Sequence, residues 1–271
     1  MADTFVPTPG VAATPIGATE PLLVAKSVSI RFGGVAALKD VSLCVDPGEA
    51  VGLVGPNGAG KTTLFNCLCG QLRPDGGTVS FDGHAIESMP AHQRARLGIR
   101  RTFQRVEVFP ELSVRDHLIV AERAWRGDGA LWKDLLNKGK PRPDELEHVD
   151  EVMALVGLTD IADVPVAALS LGHCRQVELG RALAGRPRLL MADEPSSGLD
   201  INETAALASV LRTAQREHGM AVLLVEHDME MVAKAVDRVV VLDVGQVIAG
   251  GSFHEVVADP EVRRAYLGRT A

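Results

Sequence analysis

Residues 50–62 read Ala50-Val51-Gly52-Leu53-Val54-Gly55-Pro56-Asn57-Gly58-Ala59-Gly60-Lys61-Thr62, and this stretch decides the fold. Five apolar residues running straight into glycine predict a short strand buried on both faces. The next eight satisfy the spacing G-x-x-x-x-G-K-[ST] with nothing missing, and a helix should run from Gly60–Lys61 to about Leu68, stopped by Gly70. Strand, glycine-rich loop and helix start, in that order, make a phosphate cradle. The glycines let the backbone curl, its N–H groups point inward, and the helix N-terminus adds positive potential. Lys61 brings a full charge to the β- and γ-phosphates, and the Thr62 hydroxyl is a magnesium ligand of the right hardness. Gly55, Pro56, Asn57, Gly58, Ala59, Gly60, Lys61, Thr62 and Thr63 are therefore the expected contacts to a nucleoside triphosphate.

A second strand completes the metal side of that site. Leu189-Leu190-Met191-Ala192-Asp193-Glu194 is an apolar run ending in two carboxylates. By itself such an ending reads as a strand-to-loop cap. Beside an intact phosphate loop it places Asp193 where ligands bind in open α/β sheets, as a holder of Mg²⁺ through water. Glu194 is then free to polarise the attacking water as general base.

Outward from these anchors, strand and helix signals alternate. Leu22–Ile30, Val41–Val45 and Thr78–Phe81 read as strands, the last entering an Asp82-Gly83 turn. The pattern is mainly helical from about 105 to 168, interrupted by a polar loop from Gly127 to Pro143. A helix follows near 172–185, then the strand Arg188–Ala192, a helix near 201–218, the strand Ala221–Val225, β-rich sequence around 238–249 and a helical stretch Phe253–Leu267. Alternation of this kind predicts an α/β fold with a mainly parallel sheet and helices on both faces.

Bulk composition narrows the function classes. With 28 Lys and Arg against 35 Asp and Glu, the formal net charge is −7, so no global basic field recruits nucleic acid. Apolar runs such as Met220–Val225 are far too short to cross a bilayer, so work at a membrane requires docking on another protein. Residues 1–20, rich in Pro, Thr, Ala and Gly, lack the basic start and apolar stretch of a secretory signal and read as a flexible tail. Cys44, Cys67, Cys69 and Cys174 read as free thiols.

The phosphate loop alone is compatible with kinases, GTPases, helicases and transport ATPases; residues 169–227 separate them. Leu169-Ser170-Leu171-Gly172-His173 resembles the LSGGQ signature of ABC ATPases and lies, as there, just before the acidic strand. Ser197-Gly198-Leu199-Asp200 resembles the family's dimer-contacting loop, Glu226-His227-Asp228 its switch histidine, and Gln104 in Arg101-Thr102-Phe103-Gln104 the glutamine that opens the helical subdomain. Phe32 stands where the family places an aromatic to stack on adenine, although a strand-end core role is the plainer alternative. The resemblance covers residues 22–267. It implies a P-loop NTPase fold of the ABC type, with an antiparallel β subdomain and a helical subdomain inserted at about 105–180 of a 21–271 ATPase domain.

It also implies a mechanism. Two ATPase subunits meet head to tail, so each Mg-ATP lies between Lys61 of one and Ser170 and Gly172 of the other. His227 contacts the γ-phosphate beside Glu194, Asp200 belongs to the dimer contact, and Gln104 senses both the Mg²⁺ and the γ-phosphate. Leu171 and His173 depart from the signature consensus, which bears on loop geometry and turnover; Ser170 and Gly172 are retained. Within the family, Arg31–Leu38, Arg101–Gln104 and Pro260–Gly268 resemble the ATPase subunits of branched-chain (hydrophobic) amino-acid importers. Such subunits sit on the cytoplasmic face of the membrane, with two permeases, a second ATPase subunit, identical or not, and an external solute-binding protein. The alternative is a soluble ABC ATPase clamping nucleic acid or ribosomes; the long coiled-coil insertion or second cassette usual there is absent from this sequence.

Overall fold

The computed structural model describes residues 20–102, 109–126 and 141–267. Most of the expected tail and most of the 127–143 loop lie outside the described residues. The chain begins with β1 (Leu23–Phe32) and β2 (Val35–Val45), followed by β3 (Ala50–Val54) and α1 (Lys61–Cys69). Next come β4 (Gly76–Phe81), β5 (His84–Ala85), α2 (Ala91–Arg96) and β6 (Ile99–Arg101). Three helices, α3 (Val114–Arg126), α4 (Pro143–Leu155) and α5 (Leu171–Ala184), precede β7 (Leu189–Asp193). The remainder is α6 (Ile201–His218), β8 (Ala221–Val225), α7 (Met229–Ala235), β9 (Arg238–Asp243), β10 (Gln246–Gly251), α8 (Phe253–Ala258) and α9 (Pro260–Leu267).

Six strands form the central sheet in the order β10-β9-β3-β8-β7-β6. All neighbours are parallel except the edge hairpin β9–β10. β3, β7 and β8 are buried along their whole length, and their period of two sorts their side chains between two cores. Ala50, Val54, Leu190, Ala192, Val222 and Leu224 face one, shared with the helices α3 to α7. Val51, Leu53, Leu189, Met191, Leu223 and Val225 face the other, which holds Leu64, Phe65 and Leu68 of α1 and the inner residues of the second sheet. Burial on both faces is why these strands carry continuous apolar runs. The second sheet, order β2-β1-β4-β5, is antiparallel throughout. Its β4–β5 hairpin turns on Asp82 and Gly83, both with positive φ (52° and 74°), the two-residue geometry that Asp-Gly favours.

One strand boundary needs correction. β2 starts at Val35 rather than Val41: the apolar Val35–Leu38 pairs back on β1, and the polar Lys39-Asp40 step sits at an irregularity, Asp40 having a φ of 51°. α2 and β6, between Asp82 and Thr102, were not anticipated. The stretch 253–267 is two helices, because Pro260 cannot continue the first and disfavours helical backbone at Asp259.

Candidate nucleotide site at the strand ends

The phosphate loop joins β3 to α1 and is pressed between the two sheets. A methyl on Gly60 would stand 2.7 Å from the Ala37 carbonyl of β2. A methyl on Gly55 would collide with the Leu242 carbonyl of β9. The β9–β10 turn adds two ties, Gly245 N–H donating to Ala59 O at 2.9 Å and Lys39 N–H to Gly245 O at 2.8 Å. Gly60 (φ 104°) opens α1 with no side-chain cap and no acidic residue in the first turn. By contrast Asp200, Asp228 and Ser252 cap the helices that follow them. A cation in the first turn, where the macrodipole is already positive, is the reverse of the stabilising arrangement. An anion at that end would reverse the balance.

Lys61 is that cation. It is buried, its Nζ donating to Gly55 O at 2.6 Å and Pro56 O at 3.1 Å. Burial lowers its pKa, against the opposing pull of Glu194 and Asp193. Asp193 ends β7, 4% exposed. Burial above all raises its carboxyl pKa, then the charge of Glu194 and, more weakly, that of Glu226, while Arg101 and Lys61 pull the other way. Glu194 follows at a φ of 47°, a region non-glycine residues seldom occupy and one associated with functional sites. Its N–H donates to Val225 O at 2.8 Å, which locks the strained residue to the end of β8. His227, two residues beyond the Val225 end of β8, places Nδ1 3.9 Å from Glu194 Oε1 and 3.8 Å from Glu226 Oε2.

Lys61, Asp193, Glu194 and His227 thus converge from three adjacent strands. Ser170 and Gly172 belong to a different groove, of about 270 Å³, shared with His173, Leu199, Asn202 and Glu203. Ser170 caps α5, its Oγ accepting from His173 N–H at 3.3 Å and lying 3.2 Å from His173 Nδ1. Asp200 caps α6, accepting from Asn202 N–H at 2.7 Å and Glu203 N–H at 2.9 Å. Phe32 is 51% exposed at the end of β1, which removes the core reading of that side chain. Gln104 lies outside the described residues. Thr62, Thr63, Pro56, Asn57, Gly58 and Ala59 stand in the loop and first turn as the spacing requires.

No group of three or more His, Cys, Asp or Glu able to hold a metal occurs among the described residues. The hard oxygens of Thr62 and Asp193 fit a Mg²⁺ that takes one or two protein ligands and completes its shell with phosphate and water. Two further side chains adjoin the site, neither signalled by a local sequence pattern. Glu226 is fully buried although it follows a strand like an ordinary cap. Tyr266 brings a buried hydroxyl from α9 to the Gly55 backbone, outside ordinary hydrogen-bond geometry, and burial raises its pKa. No local pattern signals a contact across that sequence distance.

A family model described as "ABC transporter" matches residues 38–197. One described as "Branched-chain amino acid ATP-binding cassette transporter" matches residues 246–271. The high-affinity branched-chain amino acid transport ATP-binding protein BraF of Pseudomonas aeruginosa is 37% identical over 92% of this chain and 99% of its own. LivG of Escherichia coli K12, of the same description, is 38% identical with the same coverage. Among solved structures, the ADP conformation of MJ1267, an ATP-binding cassette of an ABC transporter, superposes with a TM-score of 0.81 at 28% identity, over 92% of this chain and all of that one.

Proposed function

We propose, from the premise that this chain belongs to the ABC transporter family as an ATP-binding subunit, that it hydrolyses Mg-ATP to drive import of branched-chain or related hydrophobic amino acids. The observation that carries the chemistry is the convergence of Lys61, Asp193, Glu194 and His227 at the ends of β3, β7 and β8. The solute class rests on the relatives' identity over nearly the full chain and on the C-terminal match.

In the proposed cycle Lys61 exchanges the Gly55 and Pro56 carbonyls for the β- and γ-phosphates, and the first-turn amides of α1 bind the same group. Thr62 and Asp193 would hold Mg²⁺, with Gln104 adding a ligand, and a bound ion would supply neutralisation of charge on the phosphate oxygens. Glu194 takes the proton of the attacking water, and His227 orients that water against the γ-phosphate. Phe32 stacks on adenine. Ser170 and Gly172, in a groove whose lining includes neither Lys61 nor Glu194, serve the nucleotide of a partner ATPase subunit, as Asp200 serves the dimer contact.

Among the described residues no helix is long and apolar enough to cross a membrane. As the family resemblance implies, we place the subunit on two permease subunits at the cytoplasmic face, its helical subdomain taken as residues 105–180. The docking surface we assign is a groove of about 370 Å³ between α2, β6, α3 and α5, with His92, Arg100 and Arg181 around an apolar floor. The test is to tag Glu194→Gln, which stops hydrolysis with ATP bound, in the native cell and solubilise membranes with ATP and Mg²⁺. Copurification of two multispanning permeases is expected. Recovery of soluble partners or nucleic acid alone would overturn the transport assignment and favour a clamp.

A further inference from the structure

Glu194 and Glu226 directly follow the adjacent strands β7 and β8, yet the proposed mechanism uses only the first. Glu226 is fully buried, and among the described residues no Lys or Arg nitrogen lies within ion-pair distance of it; the one basic group near it is the His227 ring, Nδ1 at 3.8 Å. Burying a carboxylate without a cation is costly unless backbone donors satisfy it. Here they do, and they come from two separate loops. Oε1 accepts from Ser196 N–H at 2.9 Å, in the turn that leads to Asp200. Oε2 accepts from His227 N–H at 3.1 Å and Asp228 N–H at 3.4 Å, in the switch loop. A hydroxyl or amide in this place offers a single acceptor oxygen; the carboxylate supplies one to each loop.

We propose that Glu226 is a positioning residue that yokes the His227 loop to the Ser196–Asp200 loop, so that contact of His227 with the γ-phosphate is transmitted to the segment facing the partner subunit. The inference rests on the proposed ATPase mechanism and adds the connection between its two loops. One rigid group bonded to both means that neither loop shifts without carrying or breaking the other's hydrogen bond. Ser196 is itself buried, so its N–H has no water to fall back on.

Glu226→Gln keeps the shape and removes one acceptor, leaving an amide N–H₂ against a backbone N–H on one side. In the full-length chain, ATP affinity should hold within about twofold while kcat falls about tenfold or more, a split that marks an interaction made beyond ground-state binding. In a His227→Ala background the same substitution should add less than about twofold, because both act through one unit. Glu226→Gln turning over like the unmodified chain, or multiplying its full effect onto His227→Ala, would overturn the yoke. Should the variant fail to fold, amide exchange in the unmodified chain decides: Ser196, His227 and Asp228 should slow together on adding ATP, and a response of His227 and Asp228 without Ser196 would overturn it. An unmodified chain with no ATPase activity would instead indict the mechanism itself.

Discussion

Glu203 of α6 closes over Gly172 of α5: a methyl on the Gly172 Cα would collide with the Glu203 carboxylate and stand 2.8 Å from its Cδ. The same carboxylate accepts from Asp200 N–H at 3.0 Å, completing the cap of α6. One residue along, a methyl on Gly198 would meet Leu171 Cδ2 at 2.9 Å. The signature segment and the Ser197–Asp200 loop of one chain are therefore seated in fixed register, although they reach the fold from different elements.

Gly172→Ala sets two effects against each other. Removing a helical glycine stabilises by up to about 1 kcal/mol, but the methyl must push aside the end of the Glu203 side chain and its bond to Asp200 N–H, a cap worth about 0.5–2 kcal/mol. The two effects nearly offset, so the melting temperature should move by no more than a few degrees while hydrolysis drops with ATP binding retained. Hydrolysis at the unmodified rate would contradict this register.

Asp193 should trade stability for chemistry. Its folded carboxyl, its pKa raised mainly by burial and by Glu194, keeps its proton at pH values where the unfolded one has lost it. Stability therefore falls as pH rises from the ordinary aspartate range through the folded value, and the penalty is fully present above it. Asp193→Asn should raise the melting temperature of the nucleotide-free chain at neutral pH by about 2–4 °C, roughly 1 kcal/mol, with the advantage shrinking as pH falls through the raised folded value and gone below about pH 4. It should also abolish hydrolysis. A neutral-pH destabilisation in a pH series of melting curves would count against the burial cost.

Val244 carries a cost unrelated to function. It sits at a φ of 44° in the β9–β10 turn, 51% exposed. A β-branched residue there forfeits about 1–2 kcal/mol relative to one that tolerates left-handed backbone. Val244→Asn should therefore stabilise the chain by about 1 kcal/mol without changing kcat, read by denaturant titration. Unchanged or lower stability would mean that the side chain makes compensating contacts.

What sequence made legible follows from where physics is local. The phosphate loop, the doubly buried β3, β7 and β8, and the Asp200-to-Gly219 limits of α6 are written in consecutive residues. α2 and β6 are not: six and three residues long, they owe their place to distant partners. Arg94 of α2 is an example, buried against the usual preference of arginine. It spends its guanidinium on the Cys67 and Leu68 carbonyls at 2.8 Å, capping α1 from outside. Glu226 and Tyr266 were opaque for the same reason, since their partners lie across the fold. Asp237 is another such joint, its carboxylate accepting from Ala50 N–H at 2.9 Å and Gln215 Nε2 at 2.7 Å and pairing with Arg212 at 2.6 Å.

The composite site is the centre of the proposed mechanism, and Ser170→Arg tests it most directly. Ser170 caps α5 in a groove apart from Lys61, so an arginine there should leave Mg-ATP binding to the single chain unchanged within about twofold while steady-state hydrolysis falls by about a hundredfold or more. Binding and turnover should be measured on the same preparation, by nucleotide titration and phosphate release. Loss of ATP binding, or hydrolysis at the unmodified rate, would contradict a site completed by a second subunit.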